Sequence, residues 1–376
     1  MTKNTLSSRE RVALALAHQE PDRVPVDLLG SATLIVDDTY FALLDHLGLD
    51  PAVEPWRKGF TANYYDERLL AIFDIDFRRI FMPRRPEGEM TYVSEDTYTC
   101  PWGITWQHAG PFINPIRAPL EDLTIDEILA YDWPKPREVW DATGLKERAK
   151  HLVESTSYAL VARNPVTFGL LDRGSHLRGM EQFMKDLVAR PELARVIIEN
   201  VLEVHLGMYD MFLSQVGPYV QIVETADDLG GQENLLISPD FYRKYFKPAQ
   251  TKINQLIKSR APGAKVFFHS DGAIRKIIPD LIEAGVDILN PVQPSAAGMA
   301  SETLKEDYGD QLVFHGGVDQ KPQEGSEQEV RAEVRKRIDA LASGGGFILS
   351  TCNNILGAPP ANIVAMLEEA KTYGRY

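Results

Sequence analysis

The amino-acid sequence predicts an α/β chain folded as a single (β/α)8 TIM barrel with an inserted β-hairpin. Three observations lead there. Eight short apolar runs alternate with helical patterns along 376 residues, no linker divides them, and no glycine-rich phosphate fingerprint follows the first run. The last point disfavours an open doubly wound sheet, the other arrangement that alternating strands and helices allow. One domain over residues 1–376 is expected.

A helix opens the chain. Ser7 and Ser8 precede Arg9 and Glu10, then Val12, Leu14 and Leu16 follow, and Pro21 ends it. The eight strand-like runs are residues 24–29, 77–82, 158–162, 219–223, 265–268, 287–290, 312–314 and 347–350. Most are nearly continuous in apolar residues, as strands covered on both faces must be. Arg78 and Arg79 interrupt the second. Helical patterns occupy residues 192–213, 239–259, 273–284, 327–343 and 360–373. In the first of these Leu193, Ile197, Val201, Val204, Met208 and Met211 recur at three- and four-residue spacing. Pro239 and Pro360 sit in first turns, where no N–H is needed. Residues 90–107, MTYVSEDTYTCPWGITWQ, alternate Thr, Tyr and Trp around turn residues. They read as a hairpin inserted after the second strand, either overhanging the barrel mouth or lying passively on the surface.

Composition narrows the function. Apolar residues make up 44% and charged residues 25%, ordinary for a protein with a large core. A net charge of −14 with no basic stripe argues against a nucleic-acid partner. No apolar run approaches the roughly 18 residues a membrane span needs. Residues 1–16 lack the apolar region and cleavage site of a signal peptide. Cys100 and Cys352 are too few and too distant to form a disulfide framework, so a reducing cytoplasm is the expected location.

In such a barrel the strand ends carry the chemistry. Glu224, Thr225, Asp227 and Asp228 follow the fourth run, and His269-Ser270-Asp271-Gly272 the fifth. Gln293 follows the sixth, His315 and Asp319 the seventh, and Cys352, Asn353 and Asn354 the eighth. Asp27 and Asn164 come from the first and third. Glu224, His269, Asp271 and Cys352 have metal-ligand chemistry, because zinc takes carboxylate, imidazole and thiolate. The same groups also serve as hydrogen-bonded carboxylates and a packed thiol. Glu224, His315 and Asn164 are the catalytic candidates; Asp27, Asp76, Asp228, Gln293 and Asn353 are the substrate-binding ones. His315 could equally hold its glycine turn, and one of Asp227 and Asp228 is expected to start the helix that follows.

The runs ETADDLGGQENLLISPDFYRKYFKP, KVFFHSDGAIRKIIPDLIEAGVDILNPVQ, LVFHGGVDQ and GGGFILSTCNNILGAPPANIVAM resemble the uroporphyrinogen decarboxylase superfamily. The likeness runs from Arg9 onward and is most specific between Glu224 and Met366. It implies a barrel with its pocket at the C-terminal face. Authentic decarboxylases carry an arginine-containing segment after the first strand, whereas residues 24–56 hold no Arg or Lys. A tetrapyrrole polycarboxylate would lack its bidentate donors there. The chain is more similar to the zinc methyltransferases that work with corrinoid proteins, whose pattern is His-x-Cys after the fifth strand and Cys after the eighth. His269 and Cys352 match that pattern, Asp271 stands where its first cysteine falls, and Glu224 would be the added acidic ligand. A carboxylate in place of a thiolate leaves zinc a harder Lewis acid, suited to polarising the ether oxygen of a methoxy donor. The resemblance therefore implies a methyltransferase that moves a methyl group between a small substrate and a corrinoid cofactor on a partner protein. Two other readings stand beside it. One is a decarboxylase of a small acid using Asp76 or a neighbouring carboxylate; the other is a non-catalytic barrel that binds a ligand or partner.

Overall fold

Apolar strands need cover on both faces, and seven of the expected runs obtain it in one curled parallel sheet. The computed structural model describes residues 6–31 and 33–376; residues 1–5 and Ala32, part of the expected single domain, lie outside the described residues. In chain order the strands are β1 (Phe77–Ile80), β2 (Thr91–Tyr92), β3 (Thr97–Thr99), β4 (Thr105–Ala109), β5 (Phe112–Arg117) and β6 (Ala159–Ala162). There follow β7 (Ile222–Ala226), β8 (Lys265–His269), β9 (Ile288–Val292), β10 (Val313–Val318) and β11 (Phe347–Thr351). β1 and β6 to β11 pair in sequence order, each neighbour parallel. A doubly wound sheet would reverse its order partway across; this one does not. Phe77, Val161, Ile222, Phe267, Ile288, Val313 and Ile348 form a buried cluster of their own. Val12 and Leu16 of the helix Ser8–Leu16, which Ser7 and Glu10 cap reciprocally, belong to the same cluster. Longer helices, above all Pro191–Val216 and Lys247–Arg260, pack outside the sheet.

The first expected run departs from regularity. Residues 24–29 form no strand among the described residues, and only Val26 bridges Leu349. Pro25 has no N–H to give a ladder. The segment nevertheless bonds on both sides. Asp27 N donates to Leu349 O and Leu349 N to Pro25 O, each at 2.9 Å, while Asp76 N donates to Val26 O at 3.2 Å. Val24 N also donates to Gly374 O at 2.7 Å, so the end of the chain braces this segment.

The stretch expected as a hairpin over residues 90–107 belongs to a larger antiparallel sheet, β2-β3-β4-β5, which reaches Arg117. Its last strand holds Pro115, which the edge position and a register shift opposite Trp106 accommodate. Trp102 and Trp106 are buried in the main hydrophobic core, which anchors this sheet to the rest of the fold. The pattern at 239–259 forms Pro239–Phe241, a wider helical turn Tyr242–Phe246, and Lys247–Arg260. The fourth strand starts later than expected because Gly217–Tyr219 is a tight helical turn. Among the described residues no helix is long and apolar enough to cross a membrane.

Candidate functional site

Two arginines in an otherwise apolar strand must find counter-charges, because an unpaired buried charge costs several kcal/mol. Arg79 of β1 donates to Asp27 through Nη1 (2.9 Å) and Nη2 (2.5 Å), and to Glu224 Oε1 through Nε (3.0 Å). Arg163, just beyond β6, donates to Glu224 Oε2 at 2.8 Å and to Ser31 Oγ. Gly30 permits this approach, since a Cβ there would collide with the Arg79 guanidinium. Burial alone would raise the pKa of both carboxyls. The guanidiniums of Arg163 and Arg79 outweigh it at Glu224, and Arg79 with His315 outweighs it at Asp27, so both lie below the ordinary carboxylate range.

From Asp27 a line of hydrogen bonds runs to the end of β8 and fixes every proton on the way. An ionised carboxylate only accepts, so His315 Nε2, 2.9 Å from Asp27 Oδ2, must be the donor. Nδ1 is then the ring's acceptor, and Asn290 presents Nδ2 to it at 2.8 Å. That turns Asn290 Oδ1 towards His269 Nδ1, 2.6 Å away, which must carry a proton. With Nδ1 engaged in this way, Nε2 is the His269 nitrogen left to take up a proton or a metal ion.

His269 Nε2 faces two carboxylates, Asp228 Oδ1 at 3.6 Å and Asp271 Oδ1 at 3.9 Å. One ligand atom from each of the three lies within 4.8 Å of the others. Asp271 N donates to Asp228 Oδ1 at 3.0 Å, and the Asn353 amide, turned with its nitrogen inward, donates to Asp271 at 2.9 Å. Burial raises the pKa of Asp271 to about 6, against the pull of His269 and with the push of Asp228. Burial lowers and these two carboxylates more strongly raise that of His269. Asp172 is driven well up by burial, Asp227 and Asp228. The cluster thus holds more negative charge than it can comfortably ionise, and a cation would relieve it. Its donor set, one imidazole nitrogen and two carboxylate oxygens, fits zinc and other divalent ions. Beside it a groove of about 440 Å³ is lined by Asp228 and Asp172 together with Ile116, Leu171, Met180 and Leu236.

Several expectations change. Glu224 does not join this cluster, because Arg79 and Arg163 hold both its oxygens. Cys352 does not join it either: its buried thiol donates to Val292 O at 3.0 Å, and burial, aided by Asp319, drives its pKa well up. Asp228, expected to bind substrate, stands where a third ligand would. The Asn164 side chain is spent on its own loop, accepting from Val166 N at 3.0 Å and Tyr209 Oη at 3.2 Å. Asp76 precedes β1 at the N-terminal end of the strands, locked between Arg11 (2.6 Å) and Arg23 (2.8 Å), so it cannot serve a reaction at the opposite end. Gln293 accepts from Gly272 N at 2.9 Å and holds the loop after β8. Asp227 caps a helix that precedes it in the chain, accepting from Leu171 N and Asp172 N of Leu170–Arg178. Gly169 leaves room for that carboxylate. Sequence reading missed Arg79, Arg163 and Asn290. The arginine in an apolar strand was the available signal for the first.

The family model described as uroporphyrinogen decarboxylase (URO-D) matches residues 165–373. A solved structure described as a methyltransferase from Methanosarcina mazei superposes with a TM-score of 0.62 at 17% identity, covering 97% of this chain and 98% of that one. That likeness is one of fold. A native xylanase 10B from Thermotoga maritima gives a TM-score of 0.38 at 11% identity over 62% of this chain and 82% of that chain. No curated protein matches the chain by sequence.

Proposed function

Because the chain belongs to the uroporphyrinogen decarboxylase family, we propose that it is a methyltransferase of that family, moving a methyl group between a small methoxy-type substrate and a corrinoid on a partner protein, with zinc held by Asp228, His269 and Asp271. On this reading residues 24–29 are the eighth stave of a closed barrel, and the two buried, unpaired cysteines accord with a reducing cytoplasm. The observation behind the reading is the convergence of His269 Nε2 with the carboxylates of Asp228 and Asp271. When bound, the ion would polarise a substrate oxygen as a Lewis acid.

The remaining roles belong to this chain's own side chains. Asn290 fixes the ring of His269, and His315 with Asp27 fixes Asn290, which makes them positioning residues. Asn353 steadies Asp271. Asp227 anchors the helix that brings Asp172 beside Asp228. Ile116, Met180 and Leu236 offer an apolar wall to a methyl-bearing substrate and exclude water from it.

Elemental analysis combined with a transfer assay tests the proposal. The purified protein should hold about one zinc per chain and methylate free cob(I)alamin from a methoxyarene. The double variant Asp228→Ala, Asp271→Ala should lose both properties. A metal that stays bound in the double variant, or a wild-type protein that takes up no zinc, overturns it.

A further inference from the structure

The helix Leu170–Arg178 presents Asp172 to the groove beside Asp228, and the next residue, Arg173, to a second cavity beneath the antiparallel sheet. Arg173 is 4% exposed. Its Nη2 donates to Val166 O at 3.0 Å, its guanidinium lies 4.5 Å over Trp102 and 5.1 Å over Phe168, and its Nε has no partner. The other buried arginines among the described residues are Arg11, Arg23, Arg78, Arg79, Arg178 and Arg337, and each is ion-paired with an Asp or Glu. Arg173 is the exception. Burial pushes its pKa down to about 10, and Arg84 adds to that push. Arg84 lines the same cavity, and its side chain has no partner among the described residues.

We propose that this cavity is an anion subsite that takes the carboxylate of a small organic acid, with Arg173 and Arg84 as counter-charges and Trp106 and Phe168 among its walls. A guanidinium that is buried, unpaired and aimed into a cavity is the half of an ion pair whose other half arrives with a ligand. The cavity is small, with about 30 Å³ open to the centres of water-sized groups, so only a small ligand can enter. The walls are mostly apolar and aromatic, so the planar fork of Arg173 is matched by a planar two-oxygen anion. A phosphate is bulkier and brings a larger charge to desolvate into this small, largely apolar cavity, and a bare halide would leave the fork half used.

Tryptophan emission reports on the cavity, because Trp102, Trp106 and Trp140 line it. Acetate titrated into the full-length protein should give a saturable change. In Arg173→Met, which removes an uncompensated buried charge while keeping an unbranched apolar stem, acetate should bind at least about 10-fold more weakly. Thermal unfolding verifies that the variant folds, and if it does not, Arg84→Met is expected to weaken acetate in the same direction. No saturable response to acetate, an equal response to phosphate or chloride, or undiminished binding in the folded variants overturns the subsite. The readout needs no metal, so its failure leaves the zinc proposal untouched, and the converse holds.

Discussion

Oδ1 of Asn290 stands 2.6 Å from Nδ1 of His269, and through His315 and Asn290 the buried Asp27 orients that ring with Nε2 towards Asp228 and Asp271. Asn290→Ala cuts the line. The ring can then rotate and protonate at Nε2, and zinc affinity should fall about 10–100-fold, as removal of outer-shell partners typically does. Competition with a chelating dye measures it. An unchanged affinity would mean that the ring is held by packing alone.

Cys352→Ala should leave the proposed zinc binding unchanged. The thiol points to Val292 O and is buried, so its loss removes one weak hydrogen bond and a little volume. Zinc content equal to wild type, with a modest drop in melting temperature, is the expected result. Loss of zinc would restore the thiolate as a ligand.

Glu224→Gln should cost about 3–5 kcal/mol at neutral pH, because it leaves the part-buried Arg163 without a counter-charge and takes one of two from the buried Arg79. The sign with pH follows from the depressed pKa of Glu224 in the folded state. Its stabilisation is complete above the ordinary value of 4.5 and is lost as pH falls through the folded value. Denaturant unfolding of both proteins should therefore show a gap that narrows below that pH. A gap independent of pH would rule out the ionic account.

Asp76→Asn should lower stability and leave zinc binding alone. Its carboxylate neutralises Arg11 and Arg23 and accepts from Val26 N at 2.9 Å, all at the N-terminal end of the strands. A loss of several kcal/mol in unfolding free energy with unaltered zinc affinity is expected. Intact stability with abolished transfer would return Asp76 to the reaction.

The parallel strands were legible because burial on both faces leaves continuous apolar runs, and β1 and β6 to β11 lie within a few residues of those runs. Residues 24–29 show the same composition, but a proline inside the run prevents a ladder that composition cannot register. At the site, chain position told which strand end each polar residue follows and not which way its side chain turns. His269 and Asp271 converge, with Asp228 rather than Glu224 or Cys352 beside them. Glu224 was inseparable from a ligand on paper, since its claimants, Arg79 and Arg163, are 145 and 61 residues away. Asn290 looked like the close of an apolar strand. Its value lies in presenting an acceptor to one histidine and a donor to another, which only three-dimensional neighbours reveal.

Residues 24–27 are tied to Leu349 on one side, to Asp76 on the other, and to Gly374 at their start. The partners of this segment at Leu349 and Gly374 follow it by more than 300 residues and are synthesised well after it. Until residues 347–374 are available, one edge of the sheet stays unsatisfied and open to pairing with other strands. Closure spans more than 300 residues of sequence, a non-local contact of the kind that slows folding. A truncation that removes β11 should therefore yield aggregates rather than a smaller folded unit.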